Sequence, residues 1–363
     1  MTSETVADAG RKEQITSGTL FDWAAIITLL WTMFGAGVDA WAHWHGATDS
    51  TFFTPWHAVL YSGVVAAAIV HFGTVCFNVG RGYPLSEAIP PGYQYAMLGL
   101  GVALIGGGLD LVWHTLFGVE ANIEALLSPT HAILVIGFVL VFSGPFRALW
   151  ERMPRGAKVN WRQGFPAVMS LTIVTMLLTA YFDYLSPWSG AWASNRYAAI
   201  PVLTGPDPFV WSPSEFAIAL GVSATIVSGA FLVGLVLFVN RQLCLPLGSW
   251  TLILVLSTAI AETFRDEFRL VPVAFVGGLL FDLVVRYVLK PGVWLAKYYA
   301  CAYAMPVVLF IAYYVALFLT GGVWWSAHVV VGSVVMAGGG GLIIAYLLKP
   351  RYEQPREPLQ ELL

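Results

Sequence analysis

Charge is scarce in this chain: 11% of its 363 residues are Asp, Glu, Lys or Arg, against 58% hydrophobic. An ordinary soluble domain carries roughly a quarter charged residues, so that class is excluded. Cysteine is almost missing as well. Cys76, Cys244 and Cys301 stand alone with no C-x-x-C spacing, which leaves neither a disulfide framework nor a thiolate zinc site. No basic patch interrupts the apolar runs, and nucleic acid is excluded as a partner. A short apolar h-region is lacking too. The first eighteen residues are polar and lead into a full-length apolar run, so no cleavable signal peptide is expected and the first helix serves as its own insertion signal.

What is present is a series of runs long enough to cross a bilayer. They cover Leu20 to Trp44, Pro55 to Gly80, Gln94 to Val119, Pro129 to Trp150 and Phe165 to Ser186. Five more cover Pro213 to Asn240, Trp250 to Glu262, Leu270 to Val288, Tyr298 to Thr320 and Val323 to Leu348. The expected fold is an all-α, polytopic membrane bundle of about ten spans in contact with lipid. With the N-terminus cytoplasmic, fifteen of the eighteen Lys and Arg residues fall inside and only Arg196, Arg265 and Arg269 outside, as the positive-inside rule requires. Both termini are then cytoplasmic, and the expected location is the plasma (inner) membrane.

The strongest cytoplasmic charge cluster, Arg147 to Arg162, separates two regions. The expected organisation is a cytoplasmic tail over 1–18, a duplicated two-hairpin metal-binding region over 19–150, a six-helix region over 165–348 and a second tail over 349–363.

The duplication is explicit in the residues. Asp39-x-x-x-His43 is followed by Thr54-Pro55-Trp56-His57, and Asp110-x-x-x-His114 by Ser128-Pro129-Thr130-His131. Flanking residues repeat also: Gly37-Val-Asp39 with Gly108-Leu-Asp110, and the stretch His57 to Gly63 with His131 to Gly137. Residues four apart share a helix face, and a proline at the first turn opens the next helix just before the third ligand type. Each repeat therefore predicts a helical hairpin with Asp, His and His at its mouth, and the two hairpins run in the same direction. By the charge argument all six residues reach the outer, periplasmic leaflet. An Asp at a helix centre costs about 2.5 to 3.5 kcal/mol on insertion scales, so six ionisable groups recurring in register call for a compensating partner, and a metal ion is the leading candidate. Imidazole suits copper, zinc and iron, and three ligands leave a position open. The alternative is a hydrogen-bonded polar cluster that pins the hairpins together.

At these residues the chain resembles the third, C-type membrane component of the copper membrane monooxygenases, the particulate methane and ammonia enzymes. Asp39, His43 and the segment Asp49 to His57 look like that family's first element, an aspartate, a His at plus four and a stretch ending in Thr-Pro-x-His. Asp110, His114-Thr115, Glu120 and Pro129-Thr-His131 look like its second. The resemblance spans about residues 36–140. It implies copper at Asp39, His43 and His57, a second copper at Asp110, His114 and His131, and Glu120 as partner of a ligand or as proton carrier. Copper, as one or two ions, ranks ahead of zinc and iron. Asp110 stands where the family has asparagine, the second element is longer between its histidines, and about six spans follow where the family's chain would stop. The implied function is that of an oxidoreductase, or a component of one, using dioxygen on a small apolar substrate. Separate polypeptides like the other two components of those monooxygenases, or further copies of this chain, are the implied partners. A copper carrier without catalysis and a zinc-dependent membrane hydrolase are the alternatives.

Other residues have plainer readings. His45 and Asp49 are loop residues beside the first site, and Glu124 caps or is solvated. His71, fourteen residues after His57, reads as a core histidine bonded across a helix interface. Glu262, Arg265, Asp266, Glu267 and Arg269 read as an exterior turn with internal ion pairs. Asp183 and His328 fall near outer helix ends. Asp282 is expected to pair with Arg286 one turn on. Trp41, Trp44, Trp56, Trp113, Trp188, Trp192 and Trp211 suit an interfacial belt, and the segment Pro187 to Ser212 is read as a cap over the outer face. Gly338 to Gly341 reads as close helix packing, because no Lys-Ser or Lys-Thr follows it.

Overall fold

The computed structural model describes residues 16–47, 53–120, 123–198, 212–265, 268–289 and 295–349. Asp49, Trp211, Asp266, Glu267 and most of both terminal tails lie outside the described residues. Helix dominates. Among the described residues, eight helices are long and apolar enough to cross a membrane: Thr19–Trp44, Pro55–Gly80, Gln94–Phe117, Pro129–Arg152, Trp161–Tyr181, Pro213–Asn240, Leu295–Thr320 and Ala327–Leu347. The expected seventh and eighth spans form shorter helices, Ser249–Thr263 of 15 residues and Val271–Tyr287 of 17. The only named strands among the described residues are the two-residue pair Ala157–Lys158 and Leu243–Cys244.

Helix boundaries follow local chemistry. Thr54 accepts a hydrogen bond from the His57 amide and Pro55 opens the helix behind it, an N-cap with proline in the first turn. Ser212 and Glu215 form a reciprocal capping box at the start of Pro213–Asn240. The run expected to reach Val119 stops at Phe117, because Gly118 takes a positive φ of 85°. The run from Pro129 bends after Phe142 and resumes at Gly144–Arg152. There Pro145 withholds an amide donor and its ring crowds the turn before it.

The chain forms two compact units, one of Met1–Arg152 with Arg162–Leu177 and one of Met153–Trp161 with Leu178–Leu363. In the first unit the duplicated hairpins are built alike. A Cβ at Gly35 would stand 2.5 Å from Leu60 Cα, and one at Gly63 would stand 2.7 Å from Thr32 Cα. Moving each position by the repeat offset gives Gly106 beside Leu134 at 3.2 Å and Gly137 beside the Ala103 amide at 2.7 Å. Both hairpins therefore close on the same glycine positions, which let the helix axes approach. At the end remote from the Asp-His motifs, Asp22 is 2% exposed. It accepts a 2.8 Å hydrogen bond from Tyr93 Oη and an ion-paired one from Arg152.

His71 is buried but is not bonded across a helix interface. Its Nδ1 sits 2.7 Å from the carbonyl of Ala67 in its own helix, and its ring packs edge-on against Phe21 at 5.6 Å and lies near Tyr93 at 5.5 Å. Aromatic neighbours fill the space that a cross-helix acceptor would need.

In the second unit three carboxylates are used as backbone or ion-pair anchors. Asp183 receives a two-pronged guanidinium from Arg265 at 3.1 and 3.0 Å, a bidentate geometry. Glu262 accepts the Leu270 amide with both oxygens. Asp282 does not pair with Arg286. It accepts the amides of Trp250 and Thr251 and the Thr251 hydroxyl, because those donors at the start of Ser249–Thr263 have no intrahelical acceptor. Trp188, placed in a belt by its sequence position, is buried at 7% exposure, stacks with Phe310 and meets Tyr313 edge-on. Gly338 and Gly341 do mark close packing, since a Cβ there would meet Tyr303 at 2.5 Å and the Ala302 carbonyl at 2.2 Å.

Candidate metal centre

Asp39 and His43 lie in the last two turns of Thr19–Trp44, and His57 is the third residue of Pro55–Gly80. The glycine contacts of the first hairpin bring those two helix ends together. Asp110 and His114 end Gln94–Phe117 in the same way, and His131 is the third residue of Pro129–Phe142. The six residues form two groups, Asp39-His43-His57 and Asp110-His114-His131, each with its ligand-type atoms within 4.8 Å of one another. All six candidate ligands are thus gathered as two trios.

The separations are informative. His57 Nε2 stands 3.3 Å from Asp39 Oδ1, His114 Nε2 3.4 Å from Asp110 Oδ2, and His131 Nε2 3.3 Å from Asp110 Oδ1. Hydrogen bonds to oxygen normally fall at 2.7 to 3.2 Å. Two ligands on one ion at about 2.05 Å and a tetrahedral angle stand about 3.3 Å apart. One Asp-His edge of the first trio and two of the second are thus compatible with a shared ion, and His43 lies within 4.8 Å of its two partners. Among the described residues, His43 Nδ1 is buried without a hydrogen-bond partner, and Asp39 Oδ1 has only the 3.3 Å contact to His57 Nε2, a costly state for polar atoms in an apolar bundle.

The two trios differ in their supports. In the second, Thr130 Oγ1 donates to Asp110 Oδ1 at 2.7 Å. His131 Nδ1 lies 2.6 Å from the carbonyl of Ala125, so that nitrogen carries the proton and Nε2 is left as the ligand atom. His114 Nδ1 faces the carbonyl of Gly118 at 3.2 Å and Glu120 Oε2 at 3.2 Å, while Glu120 Oε1 accepts from Trp113 Nε1. Glu120 therefore sits behind His114, on the side away from Asp110.

His45 is exposed and stacks on Trp41 at 4.2 Å, its Nδ1 on the Trp41 carbonyl, so it stands outside both trios. Glu124 belongs to the short helix Ile123–Leu127 and is in neither. Two contributors escape a reading by motif. Thr130 lies inside the Pro-Thr-His tripeptide, where only its neighbours draw attention. Tyr61, one turn after His57, meets the His57 ring edge-on at 6.0 Å between centroids; its counterpart in the repeat is Val135, so the duplication conceals it. No family model matches the chain, and comparison with curated proteins and with solved structures returns no match.

Proposed function

We propose that this chain is a copper-binding integral membrane protein, an oxidoreductase or a component of one, with an ion at each trio and both trios toward the outer leaflet. The observation that carries the reading is the 3.3 to 3.4 Å Asp-to-His spacing repeated in both hairpins. Imidazole suits copper as it suits zinc and iron, and a carboxylate offsets the charge of any of them. The similarity to the C-type component of the copper membrane monooxygenases points to copper. A bound copper ion would supply one-electron and dioxygen chemistry toward an apolar substrate. Asp39 and Asp110 offset its charge, and the Ala125 carbonyl holds the His131 ring in register. Glu120 works through His114 as a positioning residue and a candidate proton relay.

Metal analysis with EPR on protein purified in lipid tests this. Two coppers are expected in the wild type, one in His57→Ala, one in His131→Ala and none in the double variant; zinc throughout, or no metal, sinks the proposal. For Glu120→Ala, copper affinity at the second site should fall by roughly 10- to 100-fold with the first unchanged. Equal loss at both sites in a competition titration would contradict the positioning role.

A further inference from the structure

Beside the first trio, the helices Pro55–Gly80 and Gln94–Phe117 leave a cavity of about 680 Å³ between them. One wall runs from Thr54 to Val64 and the other from Leu111 back to Ala103, so at 1.5 Å per residue it extends roughly 10 to 15 Å into the hairpins. Its polar groups all stand on one wall, Thr54 at the helix cap with His57 and Tyr61 one and two turns on, and the opposite wall has none. The far end is made by Val64, Ala103 and Leu104. Of the six candidate ligands, only His57 reaches this wall. The flanking surface is apolar and exposed, with Val65, Ile105 and Leu109 all above 40%, a surface that meets acyl chains in a bilayer.

Size decides what could use such a space. A water occupies about 30 Å³ of liquid volume, so the cavity is worth on the order of twenty waters. A one-carbon molecule would leave it almost empty, whereas pockets of roughly 300 to 1,000 Å³ take ligands of drug size. The walls are also kept thin. Gly107 admits the Tyr61 ring, since a Cβ there would stand 3.1 Å from its Cε1, and at Gly108, which lines the space, a Cβ would meet nothing within 4 Å.

We infer that this cavity binds a lipid-soluble amphiphile, a molecule with one hydroxyl- or carbonyl-bearing end and an extended apolar body, which comes in from the bilayer and sets its polar end beside His57 and Tyr61. Its role as substrate or reductant rests on the copper reading above; its binding does not. The body lies along Val64, Ala103 and Leu104, where it exchanges a lipid environment for a protein wall of the same polarity. The polar end finds the imidazole, hydroxyl and phenol groups that an alkane could not use. The ligand is thus larger and more polar at one end than the small substrate implied by the family resemblance.

The test is photo-cross-linking in lipid nanodiscs with two probes, a diazirine-bearing dodecanol and a diazirine-bearing prenyl quinol, followed by peptide mapping and metal analysis of the same samples. Labelling is expected on residues 54–64 and 103–111. Gly108→Leu, whose Cβ would meet nothing within 4 Å and whose side chain would take up cavity space, should lower it by about tenfold through a clash with the ligand. Gly101→Leu, on the same helix and equally free of neighbours, should leave it unchanged. Labelling by one probe alone identifies the source of the ligand. Labelling that is equal in all three proteins, or that falls elsewhere, overturns the inference. Labelling that survives in protein without copper supports the binding site while removing the metal proposal, so the two failures are distinguishable.

Discussion

Gly35→Val is expected to separate the first hairpin and, on the copper proposal, to abolish metal binding at Asp39, His43 and His57 while leaving binding at the second trio intact. A Cβ at Gly35 would lie 2.5 Å from Leu60 Cα and 2.6 Å from Leu60 N. Those are backbone atoms of the helix that carries His57, and they cannot rotate away. Overpacking of this kind costs roughly 1 to 3 kcal/mol and sometimes more, and the helix shift it forces acts on the His57 to Asp39 distance of 3.3 Å. The equivalent change Gly106→Val should be milder, because its nearest neighbours are the side chains of Ile133 and Leu134 at 3.1 and 3.2 Å, which can change rotamer. Gly73→Val meets nothing within 4 Å and serves as control. Copper stoichiometry with thermal unfolding in detergent checks all three. Retention of both ions at the wild-type melting temperature in Gly35→Val would show that hairpin closure does not build the site.

Arg152→Leu should destabilise the first unit by on the order of 3 kcal/mol, because it strands a buried charge. Asp22 is 2% exposed, and without the guanidinium only the Tyr93 hydroxyl would face its carboxylate. The low end of the range for buried pairs applies, since the Arg152 side chain is 31% exposed and part of its interaction is screened. Replacing both partners, Asp22→Leu with Arg152→Leu, should recover much of the loss, because two apolar groups leave no unpaired charge. On the copper proposal, metal content should not change in either variant. Asp22 and Asp39 are seventeen residues apart on one helix, roughly 25 Å. Unfolding midpoints in the four proteins of this cycle measure the coupling, and additive losses would show that the pair does not act as a unit.

The all-helical membrane class, the hairpin boundaries and the six ligand candidates are legible because each rests on a local rule. Apolar run length, Pro55 and Pro129 after Thr54 and Ser128, and the i to i+4 spacing of Asp and His need no knowledge of distant residues. Asp282 departs from its expected pairing for the complementary reason. Arg286 is its neighbour along the helix, whereas the amides of Trp250 and Thr251 that it caps come from another helix. Trp188 is interfacial by position alone and is held by Phe310 and Tyr313, more than a hundred residues later. For His71 a partner across a helix interface is expected, and aromatic rings occupy that place instead.

The order of residues by itself determined that this chain is a helical membrane protein with a duplicated Asp-His and Pro-x-His element, since hydrophobicity and helix periodicity are properties of short segments. Tertiary structure alone decided that Gly35, Gly63, Gly106 and Gly137 close the two hairpins alike and that the six Asp and His residues gather as two trios. It also decided that Glu120 stands behind His114 and that an apolar cavity opens beside His57. Those outcomes depend on how near two helix backbones can come. That distance is set by packing between residues far apart in the chain, which no segment read in isolation contains.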